Sequence, residues 1–92
     1  MPIPIDRLKR QCRIDFDDDD TLLRELAAEA EAEAVRATGR TRDELKEMGG
    51  GDYPEDFTGA IVMRAAERYA HPEGSEKPNA AYLSIIRSYQ RI

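Results

Sequence analysis

Apolar residues recur along this chain with a period near that of a helix. They fall in blocks separated by glycine, proline and acidic clusters, and no strand-like alternation lasts longer than three or four residues. The widest block runs from Pro54 to about His71. At about 100° per residue, Ile61, Val62, Met63, Ala65, Ala66, Tyr69 and Ala70 cover an arc of about 200°. A helix lying on a surface needs a stripe only about half that wide, so this one has to be covered from at least two sides. The polar remainder is narrow and carries Arg64, Glu67 and Arg68. Pro54 suits the first helical position, Glu55 and Asp56 sit at the positive end of the dipole, and His71-Pro72 ends the helix.

The other blocks are narrower. Residues 1–5, with Pro2 and Pro4, read as an extended arm. Asp6 then caps a short helix with Ile5, Leu8 and Cys12 on one side and Arg7, Arg10 and Arg13 on the other. Ile14 and Phe16 pin the connector that follows. A second helix spans about Asp19 to Thr38 and stops at Gly39, a left-handed cap. Its Leu22, Leu23, Leu26, Ala27, Ala30, Ala34 and Ala37 fall within about 140° and taper from leucine to alanine, which lets a partner helix approach closely. Ala28, Ala32 and Val35 form a weaker second strip. Thr41 and Glu44 make a capping box that opens one or two turns with Leu45 and Met48 inward. Gly49-Gly50-Gly51 begins a flexible hinge over 49–53, and 72–78 is a polar exposed loop. Asn79 caps a last helix whose Tyr82, Ile85, Ile86 and Tyr89 share a face, with Leu83 about 100° off it. The pattern predicts one all-α domain over 1–92, a small bundle of four to five helices around the central apolar helix (about 54–71).

Charge and composition narrow the function. Fourteen basic residues against 19 acidic give a net charge of -5, the wrong sign for a dedicated nucleic-acid binder. The single cysteine, Cys12, forbids an internal disulfide. No apolar run approaches the roughly 20 residues that cross a membrane, and Arg7, Lys9, Arg10 and Arg13 break any signal-peptide core, so an intracellular protein is expected. Asp15, Asp17 and Asp19 match the first half of a calcium loop. The second half fails, with Asp20 where glycine is needed and Leu26 where a bidentate glutamate is needed. The Asp17–Asp20 run is better read as a cap for the second helix, at Asp18 or Asp20. The glycine triplet lacks the Lys and Ser/Thr of a phosphate loop, and Asp52, Glu55 and Asp56 would repel an anion. The one histidine, His71, sits beside a proline at a helix end, and no nucleophile–base pair or zinc spacing is present. No catalysis, metal or cofactor is expected.

Four phrases occur together in order: "LKRQCRID" (Leu8 to Asp15), "TLLRELAAEAEAEAVRATGR" (Thr21 to Arg40), "PEDFTGAIVMRAAERYA" (Pro54 to Ala70) and "NAAYLSIIRSYQR" (Asn79 to Arg91). In that order the chain resembles the small helical head–tail connector proteins, also called adaptor or head-completion proteins, of long-tailed double-stranded DNA phages and prophages. The resemblance implies a structural subunit of a ring, commonly dodecameric in the virion. Such a ring docks beneath the portal, extends the DNA channel without sequence-specific binding, and meets the next head-completion or tail protein. It implies a place at the head–tail interface of the virion after synthesis in the host cytoplasm. The competing reading is a small regulatory or antitoxin-like helical protein that binds a partner as a dimer.

Two surfaces are expected to serve assembly. Glu25, Glu29 and Glu33 line one edge of the second helix, and Arg64 and Arg68 line the polar side of the central one. Facing each other inside one subunit they would spoil the burial of both apolar arcs, so they are expected to pair between neighbours, and reversing both arginines is expected to leave the subunit folded. Leu83, Tyr89, Arg91 and Ile92 are expected to anchor the portal.

Overall fold

The computed structural model describes residues 3–71 and 78–90. Among these residues the chain forms five helices and no strand: α1 (Ile5–Cys12), α2 (Asp20–Thr38), α3 (Arg42–Met48), α4 (Glu55–Ala70) and α5 (Ala80–Tyr89). Helix α4 is the hub. It packs against α2, α1 and α5, and α2 additionally touches α1 and α5. The core joins Leu8, Leu23, Leu45, Phe57, Ile61, Val62, Tyr82 and Ile86 to a run of alanines, Ala27, Ala30 and Ala34 of α2 with Ala60 and Ala65 of α4. The leucine-to-alanine taper of α2 therefore does bring two backbones close together. The full bundle follows from an all-α pattern in which no helix is apolar enough to stand alone.

Helix ends follow local chemistry. Gly39 closes α2 at φ 73°, the Thr41–Glu44 capping box is complete in both directions, and the Asn79 side chain accepts from the Tyr82 amide. Helix α1 begins two residues earlier than expected. Pro4 occupies the cap position and its carbonyl accepts from the Leu8 amide at 3.3 Å, while Asp6 lies in the first turn. Proline's fixed φ prepares that start without a side-chain cap. The arm is correspondingly short, since Ile3 is already buried in the core.

The aspartate run starts α2 through Asp19 in the cap position, yet no carboxylate there bonds the helix amides. Asp17 and Asp20 turn instead to Lys9, at 2.6 and 2.9 Å, and Asp19 accepts from the Tyr69 hydroxyl at 2.6 Å. Long-range partners outcompete the local cap. The glycine triplet forms a defined turn rather than a slack hinge. The Gly51 amide reaches the Lys46 carbonyl at 2.9 Å and the Gly50 amide reaches Glu47 at 3.1 Å, with Gly50 at φ 79°. A Cβ on Gly49 would lie 2.0 Å from the Asp52 carbonyl oxygen, so that position has no room for a side chain.

Three large apolar residues expected inside are exposed, Phe16, Leu22 and Met48, as are Ala37 and Ala70 at the ends of their arcs. Ile14 alone pins the connector. Leu22 lies at the rim of the α2 arc, and Met48 ends α3 where the turn leaves the core. Most of the 72–78 loop (72–77), together with Arg91 and Ile92, lies outside the described residues.

Candidate functional site

Of the charged groups singled out on α2 and α4, all but Glu25 meet inside the chain. Arg64 Nε and Arg68 Nη2 each donate to Glu33 Oε2 at 3.1 Å. Arg64 also lies 3.5 Å from Glu67, and Arg68 lies 3.8 Å from Glu29. The Arg64 guanidinium stands 6.0 Å from the centroid of the Tyr82 ring, which brings α5 into the same cluster. The expectation that these stripes pair only between subunits is thus corrected.

The reason lies in the register of α4. Its buried residues are Phe57, Ala60, Ile61, Val62 and Ala65. On a helical projection Arg64 falls about 40° from Ala60 and Arg68 about 20° from Ile61, both between those two buried residues, within the covered arc and not opposite it. The Arg64 side chain is only 12% exposed. Its stem covers apolar surface while its head reaches Glu33 at the edge of the α2 seam, so the apolar arcs are completed by the pairing. Reversing both arginines would place two more carboxylates against Glu33 inside the fold.

The electrostatics agree with the geometry. Burial pushes the Glu33 carboxyl up, but hydrogen bonds from Arg64 and Arg68 outweigh it and hold the group below the usual carboxylate range. Burial, then the nearby Glu33 charge, pushes the Tyr82 phenol up to about 12. The Tyr82 hydroxyl is buried and has no hydrogen-bond partner among the described residues.

The opposite edge of α2 carries a residue that the sequence reading passed over. Glu31 is buried; the Tyr53 hydroxyl donates to its Oε2, and Arg42 lies 3.4 Å from the same oxygen. Burial first, and then the Glu31 bond, raises the Tyr53 phenol well above its ordinary value. Tyrosine–carboxylate bonds recur, from Tyr69 to Asp19 and from Tyr89 to Asp56. The available signal was a glutamate two residues before Glu33, on the far flank of an apolar arc.

The proposed portal anchors separate in the same way. Leu83 is exposed on α5. Tyr89 is engaged internally: its hydroxyl donates to Asp56, its ring packs edge-on to Phe57 at 5.4 Å, and its carbonyl accepts from Arg40 Nε at 2.8 Å. Gln90 donates to the Ala37 carbonyl at 3.2 Å. Tyr89 therefore positions the end of α5 and is not a free anchor. Glu25 is exposed, and the Glu29 side chain is 60% exposed.

No group of His, Cys, Asp or Glu among the described residues is arranged to hold a metal ion, and none of the described helices is long and apolar enough to cross a membrane. A search of curated proteins and one of solved structures gave no match. The family model described as phage gp6-like head-tail connector protein matches residues 2–91. With that match spanning almost the entire sequence, on an all-helical bundle, the chain belongs to the phage gp6-like head-tail connector protein family.

Proposed function

We propose that this chain is a subunit of a closed ring, dodecameric in the virion, that docks beneath the portal, extends the DNA channel and presents its far side to the next head-completion or tail protein. The observation that carries the reading is the family match over residues 2–91. Charge supports it. Arg7, Lys9, Arg64 and Arg68 are held in internal ion pairs in a chain of net charge -5, which leaves a surface that resists phosphate. DNA passes such a wall without lodging on it.

The portal contact centres on Leu83, with Arg91 and Ile92 as further anchors. Native mass spectrometry of the chain with its cognate portal tests the role. Rings, alone or seeded by portal, are the expected result, and a dimer indifferent to portal overturns it in favour of a small regulator. Leu83→Glu should keep the helical circular dichroism signal and lose portal co-purification. Retention of portal binding at wild-type affinity would remove Leu83 from the contact.

A further inference from the structure

Arg13 is the one non-glycine residue at positive φ among the described residues, at φ 59° and ψ 45°. It closes α1 through two bonds, its own amide to the Arg10 carbonyl at 3.2 Å and the Ile14 amide to the Lys9 carbonyl at 2.9 Å. Buried Ile14 and Leu8 lie on either side of this turn in sequence and supply apolar burial. The same turn after α3 uses Gly50, and α2 ends on Gly39. A side chain with a Cβ is strained where glycine is not. The fold draws nothing from the arginine head in return, for Arg13 is exposed and makes no ion pair among the described residues, as is true of Arg10. The other cations of α1 are spent internally, Arg7 on Glu55 and Lys9 on Asp17 and Asp20. Strain kept without a structural return points to use elsewhere.

The outer edge of α2 shows the complement. Arg64 and Arg68 bond Glu33, while Glu25 is exposed and Glu29, among the described residues, has only the long contact to Arg68. Carboxylates four residues apart on a helix repel one another, which added cations relieve. The Arg13 amide bonds the Arg10 carbonyl within one turn, and Glu25 and Glu29 are about 6 Å apart along α2, close enough for two ion pairs in one contact.

We propose that Arg10 and Arg13, at the end of α1, dock on Glu25 and Glu29 of a second copy of this chain. The contact joins two different surfaces, so it propagates from copy to copy around a ring. This rests on the ring reading above and names one of its interfaces.

The test turns on opposite signs. Arg13→Gly should raise the melting temperature by about 4–8 °C, because it removes strain. It should at the same time weaken self-association, by up to about fivefold per contact, in sedimentation velocity over a concentration series. A higher melting temperature with unchanged association overturns the proposal, as does a wild-type chain that stays monomeric both alone and with portal. Paired reversal gives a second route. Arg10→Glu with Arg13→Glu should abolish association, Glu25→Arg with Glu29→Arg should weaken it, and the four together should restore it; no restoration overturns the pairing. Loss of duplex DNA binding in Arg13→Gly, with association intact, would assign the arginines to nucleic acid and also overturn it. Should these variants assemble on portal as the wild type does, the contact fails while the connector role stands. Should the wild type ignore portal yet self-associate through these residues, the connector role fails and the contact stands.

Discussion

Glu31 and Glu33 are two residues apart on α2, border opposite sides of its buried arc, and are held in different ways. Glu33 is gripped by two guanidinium groups from α4, one of which also lies over Tyr82 of α5. Glu31 is more deeply buried and rests on one phenol hydroxyl, helped by an arginine whose side chain is 55% exposed. The first edge ties three helices through several partners; the second ties the turn before α4 to α2 through one buried hydroxyl, with the half-exposed Arg42 of α3 beside it. Loss of a single partner is therefore shared on the Glu33 edge and local on the Glu31 edge.

The comparison breaks most visibly if the arginine pair is inverted. Arg64→Glu with Arg68→Glu should cost about 3–5 kcal/mol and largely unfold the chain in urea titrations, since like charges would be confined beside Glu33. A folded, wild-type-stable double variant would show that the cluster is dispensable. Arg64→Ala alone should cost about 2 kcal/mol, because Arg68 still holds the carboxylate. Its double-mutant cycle with Glu33→Gln should show a coupling near 1 kcal/mol. The two tyrosines sharpen the contrast. Tyr53→Phe should cost about 1 kcal/mol by leaving Glu31 short of a donor, whereas Tyr82→Phe should be neutral or slightly stabilising, because its hydroxyl is buried without a partner. Equal losses in the two would erase the distinction.

The Glu33 edge also carries a signature along the pH axis. Glu33 titrates below its ordinary value when folded, so its contribution is present above about pH 4.5 and is lost as pH falls through the depressed value. Burial, and then the bond to Asp56, pushes Tyr89 up to about 12, so its contribution is intact below the ordinary value of 10.0 and is lost as pH rises from there through about 12. Burial raises Tyr82 to about 12 as well, so alkali destabilises the fold over the same range. Chemical denaturation at pH 3–7 should show an acid loss that Glu33→Gln removes. Its persistence in that variant would move the effect to other carboxylates. A small effect is also expected of Glu29→Ala, within about 0.5 kcal/mol, since that group is mostly exposed and 3.8 Å from its cation.

Much of the bundle was legible because its signals are local. Apolar periodicity placed all five helices, and Gly39, the Thr41–Glu44 box and Asn79 mark ends with chemistry that acts within a few residues. The assembly surfaces were less legible because they depend on register between helices. Periodicity shows Arg64 and Arg68 as a polar strip but not that the strip lies against α2, since long side chains can bury their stems and still satisfy their heads. The Asp17–Asp20 run looked like a cap because Lys9 and Tyr69 are distant along the chain or on another helix. Arg13 carries no sequence mark at all, for the left-handed turn it occupies usually announces itself by glycine.

The alanine seam between α2 and α4 has a mechanical consequence. Ala27, Ala30 and Ala34 on one side, with Ala60 and Ala65 on the other, hold two backbones close with few side-chain rotamers to exchange. Such a pair has no alternative packing to slide into, so α2 and α4 behave as a single stiff plate. Adjustment during assembly then falls to the helices at its margins, α1 and α5, whose own burial is slighter. In native-state hydrogen exchange the amides of the plate should open only with global unfolding, while those of α1 and α5 open earlier and at lower free energy.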